Sequence, residues 1–137
     1  KIDCLNVEKG YFVDIKTTKS DIDSMVWVQE EASGKNIQVR WFEAWGYVLQ
    51  MAAYKKMLEE QYGREFTPII YAVTKEPTPD TRAIVFQTQE KLGYELTELS
   101  MLIQHLDKVK RGEEKAKPCG HCEYCKTKAL SQRVEVI

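Results

Sequence analysis

The chain has 137 residues, 43% of them hydrophobic and 30% charged, with a formal net charge of −1. That is the size and composition of one globular domain with a real core, and the near-neutral balance excludes a strongly basic protein, so any nucleic-acid contact must come from a local patch. No run approaches the roughly 18 apolar residues of a membrane span and no secretory signal is visible, so no membrane partner is expected and a cytoplasmic location is.

Lys1 is not a methionine, and "KIDCLNV" enters a strand-like run with no element before it, so a fragment missing upstream residues is expected. Ile2 to Val7 and Tyr11 to Lys16 are β-rich runs separated by Glu8-Lys9-Gly10, which predicts an antiparallel hairpin. From Ser20 or Asp21, both plausible N-caps, a short helix is predicted to about Ala32, ended by Ser33-Gly34. Between Val39 and Tyr62, Trp41, Trp45, Val48 and Ala52 recur at three-to-four spacing and predict a longer helix stopped by Gly63. Strands follow over Phe66 to Thr74 and Arg82 to Thr88, joined by "KEPTPD". A second amphipathic helix carries Leu92, Leu96, Leu99, Leu102, Ile103, Leu106 and Val109 as far as Arg111-Gly112. The solvated run "KRGEEKAK" leads into a cysteine-bearing tail, which divides the chain into a core over 1–116 and a tail over 117–137. The order ββααββα predicts an α/β or α+β domain with a mixed sheet flanked by helices.

The run "YFVDIKTTK" places an aspartate and a lysine two residues apart. Residues two apart on a strand share a face, so Asp14 and Lys16 project together while Val13 and Ile15 are expected to face the core. A hairpin loop of two or four residues would set Asp3 opposite Asp14; a three-residue loop with a bulge at Gly10 would not. Two carboxylates that close repel unless a cation sits between them, and a hard divalent ion such as Mg²⁺ takes just such oxygen ligands together with water and phosphate oxygens. An ion there and Lys16 beside it suit phosphodiester hydrolysis. The plain alternative is an exposed, weakly stabilising ion pair.

In "YVLQMAAYKKM", Gln50 and Tyr54 are four apart and so share a helical face; a partner across that face and a simple solvent border are both open. In "CGHCEYC", Cys119, Cys122 and Cys125 have a spacing at which thiolates can converge on zinc or an iron–sulfur cluster, with His121 as a further zinc ligand. The alternative is three reduced thiols in a tail. Cys4, next to Asp3, is expected to point away from the metal face and pack as a small buried hydrophobe.

Together "KIDCLN", "YFVDIKTTKS" and "QMAAY" resemble the PD-(D/E)xK nuclease superfamily, in particular its phage-type recombination exonuclease branch with the lambda exonuclease and RecB-like nuclease domains. The resemblance implies a restriction-endonuclease-like core lacking its N-terminal part. It implies Asp3 and Asp14 as carboxylate ligands of Mg²⁺ or Mn²⁺, the Ile15 carbonyl as a further ligand, and Lys16 as the group that orients the attacking water. Gln50 and Tyr54 match the branch's Gln-x-x-x-Tyr helix motif, which lies over the active site. Some of these nucleases also hold an iron–sulfur cluster on three C-terminal cysteines, with a wider last gap than here. The implied function is metal-dependent exonucleolytic hydrolysis of linear double-stranded DNA, with a homo-oligomer and a single-strand annealing protein as the associations the branch suggests. The rival is a non-catalytic DNA-binding or assembly module with a structural zinc or iron–sulfur knuckle.

Overall fold

The computed structural model describes residues 1–19, 21–30, 34–118 and 122–129. The chain divides into two compact units, Lys1–Ser100 and Met101–Ile137.

In the first unit, β1 (Cys4–Asn6) and β2 (Tyr11–Thr18) form the expected antiparallel hairpin, paired Cys4 to Val13, Leu5 to Phe12 and Asn6 to Tyr11. Four residues, 7–10, make the loop. Gly10 sits at φ +68°, and a β-carbon there would meet Arg64 Nη2 at 2.9 Å and the Glu65 carbonyl at 3.0 Å, so the turn needs glycine both for conformation and for space. Arg64 fixes the same loop by donating from Nη1 to the carbonyls of Val7 at 2.8 Å and Glu8 at 3.1 Å. Next to β2, β5 (Thr67–Thr74) pairs in parallel, and β6 (Thr81–Val85) closes the edge antiparallel to β5. The result is a mixed four-stranded sheet in the order β1-β2-β5-β6.

The crossover from β2 to β5 differs from its sequence reading. Where a helix was predicted over 21–32, β3 (Met25–Gln29) pairs antiparallel with β4 (Asn36–Arg40) in a separate ribbon; Ser20, Ala32 and Ser33 lie outside the described residues. Alternation explains it: Val26, Val28 and Val39 are half-buried while Met25, Trp27 and Gln29 are exposed, a period of two that β-branched residues favour. The long helix predicted from Val39 is also divided. Its first residues belong to β4, then comes α1 (Trp41–Ala44), and Gly46 at φ +68° breaks the chain before α2 (Tyr47–Tyr62). Gly63, at φ +64°, ends α2 as expected. Trp45, placed on the apolar stripe by spacing, falls at this break and is 67% exposed.

The core joins Phe12, Ile70 and Ala72 of the sheet to Val48, Met51, Ala52 and Leu58 of α2 and to Trp41 and Phe42 of α1. Phe12 and Asp14 are therefore on the buried face of β2. Val13 and Ile15 were expected there; instead Ile15 is 55% exposed on the opposite face with Tyr71 and Val85. Cys4 shares that face and is exposed, not packed as expected. The helix α3 (Gln89–Lys110) begins in this unit with Leu92 buried and Leu96 packed against the core.

The second unit holds the rest of α3, where Leu102, Ile103 and Leu106 are more than half exposed, and the short α4 (Glu123–Ala129). His105 Nδ1 lies 2.7 Å from Glu114 Oε2, and Arg111 pairs with Asp107 one turn earlier. No described helix is long and apolar enough to cross a membrane.

Candidate active site

The four-residue loop decides the register left open by the sequence. Continuing the β1–β2 pairing by one residue sets Asp3 opposite Asp14, and the Asp3 carboxylate reaches across to accept a hydrogen bond from the Ile15 amide at 2.8 Å. Asp3 is exposed; Asp14 is 2% exposed. Lys16 Nζ lies 2.6 Å from Asp14 Oδ2, with the lysine side chain 16% exposed. That approach is an ion pair out of line for hydrogen bonding, and Asp14 Oδ2 has no hydrogen-bond donor although it is buried. A carboxylate this buried needs a cation beside it, and Lys16 supplies one.

The helix α2 covers this strand with one stripe. Tyr47, Gln50 and Tyr54 stand at i, i+3 and i+7 and so share a face. Lys16 Nζ sits 4.3 Å above the Tyr47 ring, and Tyr54 meets Phe12 edge-on at 6.3 Å between centroids. Gln50 Nε2 donates to the Tyr54 hydroxyl at 3.0 Å. The Gln50–Tyr54 face thus looks toward β2. Tyr47 was missed by the sequence reading, although its position three before Gln50 was a signal: a cation over an aromatic face is attracted by the ring's quadrupole.

Asp14 Oδ2 and the Asp3 carboxylate are the groups that could hold a cation. The donor set suits a hard divalent ion, since it offers oxygens only, and Asp14 Oδ2 already lies against one cation, the Lys16 ammonium. The cysteine site is reached only in part. Cys119 and His121 lie outside the described residues, while the Cys125 amide points at Cys122 Sγ from 3.4 Å at the start of α4. Among the described residues no group of three His, Cys, Asp or Glu is arranged around a common point.

A wide cleft lies elsewhere. It is an open groove of about 810 Å³ between the inner face of the β3–β4 ribbon and the first turns of α3, lined by Val28, Ile37, Val39 and by Glu90, Tyr94 and Glu95 among others. Burial first, and then the nearby Glu98 charge, push the Glu95 carboxyl above its usual range. None of Asp3, Asp14 or Lys16 lines it.

A mixed sheet whose second strand carries an aspartate and, two residues on, a lysine on one face, under a helix with a Gln-x-x-x-Tyr stripe, is the arrangement of the PD-(D/E)xK nuclease superfamily. The chain belongs to that superfamily, in the family described as a PDDEXK-like domain of unknown function (DUF3799), which matches residues 1–128. Among solved structures it is similar to the crystal structure of a "Putative exonuclease" from Eubacterium rectale, with 26% sequence identity and a TM-score of 0.71. The match covers 96% of this chain and 46% of that one, so the chain spans just under half the length of that protein. No curated protein matches it.

Proposed function

We propose that the chain carries the catalytic site of a metal-dependent deoxyribonuclease that degrades linear double-stranded DNA from its ends, a cytoplasmic enzyme of the phage recombination type. The observation that carries this reading is the buried Asp14 carboxylate, paired with Lys16 at 2.6 Å and set opposite Asp3 across the hairpin. Membership of a PDDEXK-like family and likeness to a protein described as an exonuclease support it.

Asp14 and Asp3 would hold Mg²⁺ or Mn²⁺, joined by the Ile15 backbone carbonyl. When bound, such an ion supplies Lewis-acid polarisation of the phosphoryl oxygen and acidifies water. The remaining work is done by side chains already in place. The Asp3 carboxylate, fixed by the Ile15 amide, is aimed without further loss of rotamer freedom. Lys16, held between Asp14 and the Tyr47 ring, keeps its charge where a phosphate would approach and offsets the negative charge that develops as the phosphodiester is attacked. Gln50, tethered to Tyr54, presents an amide to water or a phosphate oxygen on the same face.

The test is an assay on end-labelled linear and covalently closed circular DNA. The expected result is loss of the linear substrate with Mg²⁺, none with chelator, and survival of the circle. Cleavage that persists in chelator would overturn the metal-dependent reading, and equal loss of the circle would replace exonuclease with endonuclease.

A further inference from the structure

The groove between the β3–β4 ribbon and α3 belongs neither to the core nor to the candidate active site. Its floor is the inner face of the ribbon. Val26 pairs across the ribbon with Val39, and Val28 pairs with Ile37 two residues, about 7 Å, further along. Val26 packs against the core, but Ile37 is 37% exposed, so the apolar floor continues past the point at which the protein's own packing covers it. Ala44, at the end of α1, extends the apolar lining. An apolar surface of this kind rimmed by polar groups is the usual mark of a binding face.

The opposite wall is acidic. Glu90, Tyr94 and Glu98 stand at i, i+4 and i+8 on α3, and Lys91 and Glu95 make the neighbouring row, so all five line the groove together. Glu43 of α1 is a further carboxylate of the lining, and the Lys91 ammonium pairs with it. Glu98 accepts a hydrogen bond from the Tyr94 hydroxyl at 3.0 Å, which brings no charge. Glu90 and Glu95 have no ion-pair partner among the described residues. Glu90, Glu95 and Glu98 therefore stand uncompensated beside an apolar floor. The raised Glu95 carboxyl, lifted by burial first and then by the Glu98 charge, reflects the same shortage of cations.

This lining narrows the class of occupant. Its charge repels nucleic-acid phosphates, so the groove is no part of a DNA path. A small polyamine would meet the carboxylates and leave Val28, Ile37 and Val39 wet. An added strand is recognised through the backbone of a sheet edge, whereas this floor and wall present side chains. A second copy of the chain offers the exposed stripe of Leu102, Ile103 and Leu106, but the bases that follow it are matched by acids of their own, Lys108 by Glu114 and Arg111 by Asp107. A helix with an apolar side flanked by unmatched Lys or Arg side chains three or four residues apart fits both surfaces, because Glu95 and Glu98 are themselves three apart on α3.

We propose that this groove docks a basic amphipathic helix of a partner protein, its apolar side on Val28, Ile37 and Val39 and its Lys or Arg side chains on Glu90, Glu95 and Glu98. The wall from Glu90 to Glu98 is about 12 Å long at the rise of an α-helix, roughly two turns of such a partner. The inference stands independently of the nuclease reading, since neither Asp3, Asp14 nor Lys16 lines the groove.

The experiment measures fluorescence anisotropy of a labelled synthetic helix of about 14 residues, leucines on one side and lysines on the other, against the full chain, with a scrambled peptide of the same composition beside it. The parent is expected to bind the amphipathic peptide saturably and more tightly than the scrambled one, with an affinity that falls as salt rises. Glu95→Gln combined with Glu98→Gln is expected to weaken binding about fivefold and Ile37→Ser about tenfold, each with the parent's far-ultraviolet circular dichroism. Equal binding of the amphipathic peptide by the parent and by both groove variants would overturn the proposal. So would displacement of the peptide by an equal concentration of spermidine with no effect of Ile37→Ser, which would make the groove a polyamine site. A concentration-dependent dimer of the parent that Ile37→Ser abolishes would overturn it as well, by making a second copy the occupant.

Discussion

Replacing Asp14 by asparagine is expected to lower hydrolysis of linear DNA in saturating Mg²⁺ by at least about 100-fold while leaving the chain folded. The size follows from removing a fixed charge in a water-poor site, where such groups are worth most. Asparagine keeps the shape of the carboxylate, removes its charge and puts an N–H₂ donor in place of one acceptor oxygen. The amide oxygen of asparagine can still accept from Lys16, which keeps part of the contact. The substitution does strip Lys16 of its counter-ion, and in a sealed interior that would be severe. Here the Lys16 side chain keeps 16% of its surface exposed and the Tyr47 face beneath it, so its charge is not left without compensation. Far-ultraviolet circular dichroism and a melting curve close to the parent's should accompany the lost activity. A variant that is both folded and active would remove Asp14 from the mechanism.

Phe12→Ala is expected to be the most damaging single change to stability. Phe12 is fully buried, two residues before Asp14 on the same face of β2, and packs against Tyr54 and the core of Ile70, Val48 and Met51. Truncating such a ring removes its transfer free energy and leaves a cavity, together about 3–5 kcal/mol. Against a total stability on the order of 5–15 kcal/mol, that is a large fraction. The melting temperature should fall by roughly 10 °C or more, read by thermal circular dichroism. Activity should fall with it, because the same ring spaces β2 from the Gln50–Tyr54 stripe. A change of only a degree or two would mean that α2 and the sheet are held apart from Phe12.

The candidate site was legible because its geometry is local. A period of two puts Asp14 and Lys16 on one face whatever surrounds them, and a four-residue loop is enough to bring Asp3 across from Asp14. What the sequence did not reveal was which face would be buried. Val13 and Ile15 looked like the core side, yet Phe12 has the same parity as Asp14, and the long-range packing of α2 on that ring decided the matter. The ribbon was misread for a related reason. "DIDSMVWVQEEA" mixes capping residues, a β-branched alternation and a glutamate-rich end, and pairing with β4, which follows after six residues, selects the strand. Gly46 was passed over because a lone glycine inside a helical pattern is tolerable on propensity; its positive φ is a property of the folded turn between α1 and α2. Tyr47 was hidden in plain view at helical spacing, since nothing local says that a lysine will lie over its ring.

A divalent cation bound at Asp14 would compete with the Lys16 ammonium for the carboxylate, and a calorimetric titration of Mn²⁺ into the chain, Asp14→Asn and Lys16→Ala tests that directly. The expected result is saturable binding by the parent, its loss in Asp14→Asn, and retained or tighter binding in Lys16→Ala, where the competing ammonium is gone. Equal Mn²⁺ binding by the parent and Asp14→Asn would contradict the account.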